Sequence, residues 1–127
     1  MDDIEQPTLR ALLARRDLGL RLVSADSDLP PGALDRPLRW VHSSDLADPT
    51  PFLAEDLALL TTGTQFDADA DLDVYVGRLS DRGVLGLGFG TDVHRAGIPD
   101  DLIAECTRRG IPLFEVPYRT PFIAVAR

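Results

Sequence analysis

The run His42-Ser43-Ser44-Asp45 holds every side chain of a hydrolytic relay, but in immediate succession. Neighbours on an extended strand point to opposite faces, so these four cannot hand a proton along among themselves. No Gly-x-Ser-x-Gly elbow exists to present a serine nucleophile. Gly86-Leu87-Gly88-Phe89-Gly90 invites a dinucleotide reading, but Thr91 stands where the fingerprint needs a third spaced glycine or alanine. The next helix is expected only near Pro99, too late to cradle a pyrophosphate. A phosphate loop is excluded outright, because the chain contains no lysine.

Metal chemistry fares no better. Asp92 and His94, with His42 or Asp45, are scattered oxygen and nitrogen donors without a ligand-spacing pattern. Asp67, Asp69, Asp71 and Asp73 imitate the start of a calcium loop, yet the central glycine is missing. Arg78 occupies the position of the bidentate glutamate. That stretch reads as an acidic, solvated helix start. The single cysteine, Cys106, has no disulfide partner and falls on the apolar face of a helix. The residues therefore predict no catalytic set, no metal and no cofactor.

The elements that would position these residues alternate between strand and helix. Thr8 caps a short amphipathic helix through Arg16, with Leu9, Leu12 and Leu13 inward and Gly19 ending it. Leu20 to Ser24 reads as a strand, Asp26 to Pro37 as a proline-rich loop, and Leu38 to His42 as a second strand. A brief helical turn is expected through Phe52 and Leu53. Leu57 to Thr61 is a continuous apolar run, the pattern of a strand buried on both faces. Helical spacing over 69–82 is followed by a strand at Val84 to Phe89. A helix over 99–109 is followed by a strand at Ile111 to Val116, and Phe122 to Ala126 reads as one more strand.

Strands beginning at 57, 84 and 111 recur every 27 residues, and Arg82-Gly83-Val84 matches Arg109-Gly110-Ile111 at the helix-to-strand junctions. Two successive βαβ units account for this spacing. They predict an α/β single domain over 1–127 with a mainly parallel sheet flanked by helices.

Open parallel sheets bind ligands at the carboxyl ends of their strands. The expected ligand-binding set is therefore His42, Ser44, Asp45, Thr62, Gly63, Gly88, Gly90 and Glu115. Serine, threonine and glycine are also ordinary turn formers, and these residues would then satisfy one another.

Composition narrows the partners. Thirteen arginines against 21 acidic residues leave a net charge of −8, which disfavours nucleic acid and anionic membrane surfaces as contacts of this chain. No apolar run approaches the roughly 20 residues of a membrane span. The acidic Met1-Asp2-Asp3-Ile4-Glu5 start has no secretory character, so a cytoplasmic location is expected.

Four blocks resemble the N-terminal domain of the purine-catabolism regulator (PucR-like) family of bacterial transcription factors. They are Leu34 to His42 with Asp45-Leu46, Asp56 to Gly63, Gly83 to Gly88, and Ile111 to Pro117 with Pro121-Phe122-Ile123. Thr8 to Leu13 fits the family's opening helix. Asp45 departs from the glutamate often found there, a shorter side chain that alters one polar contact. The resemblance implies a non-enzymatic sensor domain of a larger regulator, whose central and helix-turn-helix domains lie outside these 127 residues. A small-molecule effector, the regulator's other domains and a homodimer are the implied partners. A ligand-free dimerisation or interdomain module is the alternative, favoured if Tyr118, Phe122 and Ile123 form an exposed apolar patch. A small hydrolase using His42 and Asp45 is the remote one.

Overall fold

The computed structural model describes residues 7–24, 29–46, 48–63, 71–91 and 97–126. Among these residues ten elements run in order: α1 (Leu9–Leu13), β1 (Arg21–Leu22), β2 (Trp40–Ser43), a 3-10 turn (Thr50–Phe52), β3 (Leu57–Thr61), α2 (Leu72–Asp81), β4 (Gly86–Gly90), α3 (Asp100–Arg109), β5 (Leu113–Val116) and α4 (Phe122–Ala126). They build one five-stranded sheet in the order β1-β5-β4-β3-β2. β2, β3, β4 and β5 pair in parallel, and β1 joins β5 antiparallel. The expected mainly parallel α/β domain is the observed one.

The two βαβ units close through the same local device. After α2, Val84 N–H donates to Leu79 C=O at 3.1 Å, and after α3, Ile111 N–H donates to Cys106 C=O at 3.0 Å. Each bond spans a glycine in the left-handed region, Gly83 (φ +75°) and Gly110 (φ +70°). That is a Schellman closure, which a β-carbon at those glycines would strain. The 27-residue rhythm is therefore a repeated turn geometry.

β4 divides its side chains strictly between the two faces. Leu87 and Phe89 point to one face, where Leu57, Leu59 and Leu113 meet Tyr75, Val76 and Leu79 of α2 and Leu102 and Cys106 of α3. Its glycines occupy the opposite face. A β-carbon on Gly86 would come within 2.6 Å of Leu9, one on Gly88 within 2.6 Å of both Leu60 and Phe114, and one on Gly90 within 2.9 Å of Phe122. The spaced glycines thus let large neighbours drop onto the sheet. On that side Leu9, Leu12, Leu18, Leu34, Leu38, Phe114 and Val125 form the second core.

Several boundaries moved. α1 stops at Leu13, not Arg16: the apolar stripe ends there, and Leu18 turns back into the core at 2% exposure. β1 shrinks to two residues because Val23 and Ser24 both send their N–H to the carbonyl of Leu113, at 2.8 and 3.3 Å, a bulge that ends pairing. The expected strand at Phe122–Ala126 is a helix, α4. Pro121 presets a helical φ and its carbonyl accepts the Ala124 N–H at 3.0 Å. A five-residue apolar run carries no periodicity strong enough to separate the two states.

Candidate functional site

β3, β4 and β5 deliver their last residues to one rim. Register places Thr61 beside Phe89 and Phe89 beside Glu115, with Gly90 opposite Val116. Above the rim, a turn closed by Thr120 N–H to Pro117 C=O at 2.9 Å leads into α4. The Thr120 hydroxyl donates to the carbonyl of Leu18, tying this turn to the chain after α1. Between rim and turn lies a cleft of about 170 Å³ lined by Thr62, Gly90, Val116, Pro117, Tyr118, Thr120, Pro121 and Phe122. Phe122 closes one wall because Gly90 leaves space for its ring.

Asp45 organises the β3 side of this rim. Its Oδ1 accepts from the Thr61 hydroxyl at 2.8 Å and the Thr62 N–H at 2.7 Å. Its Oδ2 accepts from the Thr62 hydroxyl at 2.8 Å. Thr61 Oγ1 in turn accepts from Gly63 N–H at 3.3 Å, where the chain turns at φ +87°. Charge-assisted bonds of this kind fix the β3 exit loop to the chain leaving β2. Using Asp45 as a base or a ligand acceptor requires opening that network.

The eight expected site residues separate in space. Thr62 and Gly90 line the cleft. Asp45 and Gly63 border it through the network around Thr61. Ser44 sits one residue away, its Oγ accepting from Leu46 N–H at 3.2 Å. Glu115 lies one strand residue short of the rim and pairs with Arg21 of β1 at 2.9 Å. His42 pairs in register with Leu59, well inside the sheet on edge strand β2. Gly88 is also mid-sheet, between Leu60 and Phe114, and those two side chains leave no approach for a ligand.

Sequence reasoning did not include the walls Pro117, Thr120 and Pro121. Their signal was the Pro117–Pro121 spacing, which marks a compact turn immediately after a buried strand.

The remaining chemistry is inert or outside view. Burial, helped by Glu105, pushes the Cys106 thiol up to about 12, so it stays protonated within the α2/α3 core. Among the described residues no group of three potential ligands is placed to hold a metal ion. Asp92 and His94, and the Asp67 and Asp69 positions of the calcium-like run, lie outside the described residues. Among the described residues no helix is long and apolar enough to cross a membrane.

Fold and rim together define a small parallel α/β domain whose polar strand ends are fastened to one another beside a shallow cleft. Residues 11–127 match the purine catabolism regulatory protein-like family, and the chain belongs to that family. It is similar to the transcriptional activator PmfR of Paenarthrobacter nicotinovorans, 29% identical over 121 residues. That match covers 94% of this chain and 25% of the activator, so the chain spans about a quarter of that relative's length. No solved structure matches.

Proposed function

We propose that this chain is the sensor domain of a transcriptional regulator, binding a small metabolite at the carboxyl rim and signalling to a DNA-binding domain elsewhere in the regulator. The observation that carries the reading is the cleft between Thr62 and Phe122. A ligand there touches the strand ends and α4 at once. Seating it shifts Phe122 against Gly90, and α4 packs on β2, so occupancy is converted into a displacement of a helix. Thr62 and Thr120 supply hydroxyl partners, and the rings of Tyr118 and Phe122 supply flat surfaces for a heterocycle. Nitrogen compounds of purine degradation are the effector class this reading favours, in keeping with the family description. It makes the domain non-enzymatic and cytoplasmic, a homodimer within a longer regulator.

A thermal-shift screen of the isolated chain against xanthine, urate and allantoin tests this. A ligand that binds only the native state raises apparent stability by about 2.7 kcal/mol at a hundredfold excess over its Kd. The response is expected to vanish in a Thr62→Ala, Asp45→Ala double variant that keeps its fold. A response that survives both changes overturns the site.

A second reading, a contact module without ligand, is favoured by Tyr118, which stands 69% exposed beside the cleft. A Tyr118→Ser variant that changes association of the full regulator while no metabolite shifts stability would select it.

A further inference from the structure

The two edges of the sheet are finished differently. β1 is two residues long, ends in the bulge at Val23 and Ser24, and carries the Arg21–Glu115 pair. Short length, a bulge and charge are the devices by which an edge discourages a further strand. At the other edge β2 keeps an unbroken register over its four residues, with no proline, arginine or acid among them. Among the described residues it pairs with β3 alone. Apolar surface lies on both faces of this edge. Trp40, which the register aligns with Leu57 of the α2/α3 side, is 52% exposed. On the α1/α4 side Leu12, Leu38, Val41 and Val125 line a groove of about 460 Å³.

The main chain fixes how a further strand seats here. Ser44 N–H donates to Leu60 C=O at 2.9 Å. Alternation then turns the N–H and C=O of Val41 and Ser43 away from β3, toward the open side. The Arg39 N–H also reaches across, to Asp56, where that residue's φ of +68° breaks the regular ladder. The charges flanking β2 differ at its two ends. Before it, Arg36 and Arg39 share the one carboxylate of Asp56, at 3.2 and 4.0 Å. After it, among the described residues, Asp45 is met by neutral donors only, the hydroxyls of Thr61 and Thr62 and the Thr62 N–H. One end of the edge is left positive and the other negative.

We propose that a second copy of this chain extends the sheet at β2, running antiparallel to it about a two-fold axis at His42. Such an axis stands normal to the sheet, so each face continues into the same face of the partner. Val41 then lies opposite the partner's Ser43, and the outward N–H and C=O of both residues are satisfied on both copies. The same register sets Arg39 opposite the partner's Asp45, and Trp40 opposite the partner's Ser44, a small side chain on the same face. A parallel copy would set arginine end against arginine end. The net charge of −8 repels a second copy in general. Main-chain bonds and covered apolar surface therefore hold the contact, and the end charges set its direction. The proposal gives the homodimer of the functional reading its surface, and it stands whether or not the cleft at Thr62 holds an effector.

Sedimentation of the chain over a range of concentrations tests this, with Trp40 as reporter, since all tryptophan fluorescence comes from it. A monomer–dimer equilibrium is expected, with the Trp40 emission moving to the blue in step with dimer. Ser43→Pro removes an outward N–H at an exposed position and leaves the pairing to β3, and is expected to abolish the dimer. Arg39→Asp is expected to weaken it about tenfold or more. Arg39 is exposed, and its reversal leaves the cores intact. A dimer undiminished in either variant, or formed with no shift of Trp40 emission, overturns this surface while keeping a homodimer. A dimer broken by Tyr118→Ser and untouched by Ser43→Pro moves the contact to the rim turn and overturns it too. A chain that stays monomeric at every concentration overturns the proposal, and an effector response at the rim would survive that result.

Discussion

The two faces of the sheet are covered unequally. One carries α2 and α3, ten residues each, with Val76, Leu79, Leu102 and Cys106 wholly buried against Leu87 and Phe89. The other carries α1 and α4, five residues each, packed into the notches left by Gly86 and Gly90. A helix of five residues owes its existence to tertiary contact, because nucleation costs more than so few bonds return. The cleft at the rim is bordered by α4 and lined by neither α2 nor α3. The heavily covered face is scaffold; the lightly covered one is where, on the proposed reading, a bound molecule acts.

The sharpest way to break this contrast is to damage the scaffold. Phe89→Ala, removing a fully buried ring from the α2/α3 side, is expected to cost about 3–5 kcal/mol in urea unfolding. A cost near 1 kcal/mol would mean that this face is not the principal core. Gly88→Ala tests the opposite face. Its β-carbon would crowd Leu60 and Phe114 at 2.6 Å, for an expected loss of about 1–3 kcal/mol. A neutral result would show that the glycine face is loosely packed along its whole length.

Asp45→Ala removes one acceptor of three donors at the rim, with an expected loss of about 1–2 kcal/mol. The β3 exit loop should loosen while the α2/α3 core is unaffected, visible as faster amide exchange at Thr62 and Gly63 only.

The smallest effect concerns pH. Asp73 on α2 bonds to Arg108 and Arg109 of α3. The Arg109 guanidinium first, then Arg108, holds its carboxyl below the ordinary value of 3.8. The unfolded chain then binds that proton more readily than the folded one. The pair's contribution is present above the ordinary value and fades as pH falls through the lower folded value. Asp73→Asn should flatten the acid limb of the stability profile slightly, because Asp73 and Arg108 are exposed and screened and only Arg109 is half-buried. An unchanged acid limb would show that the helices are held by apolar contact alone.

Much of the scaffold was legible in the residues, and little of the responsive face was. The apolar Leu57–Leu60 run, closed by Thr62-Gly63, was legible as a strand buried on both sides because it sits in a βαβ rhythm, and Gly83 and Gly110 at matching junctions give the helix ends. These signals are local and agree with one another. The spaced glycines of β4 were readable as close-approach positions, but which side chains would fill them was not. That depends on the fold bringing Leu9 and Phe122 over from opposite ends of the chain. The same limit hid α4, whose state is decided by Pro121 and by its seat on the sheet. Thr62 could be assigned to the rim from the end of an apolar run, whereas the Asp45 network required the register of β2 against β3.

Amide hydrogen exchange followed through both faces tests the central claim most directly. We predict that β3, β4, β5, α2 and α3 exchange only by global unfolding, while α1, α4 and the turn at 117–121 open locally at lower free energy. An effector at the rim should then protect α4 and that turn, leaving α2 and α3 unchanged. Uniform protection across both pairs of helices, or an effector response confined to α2 and α3, would contradict the division of the molecule into scaffold and responsive face.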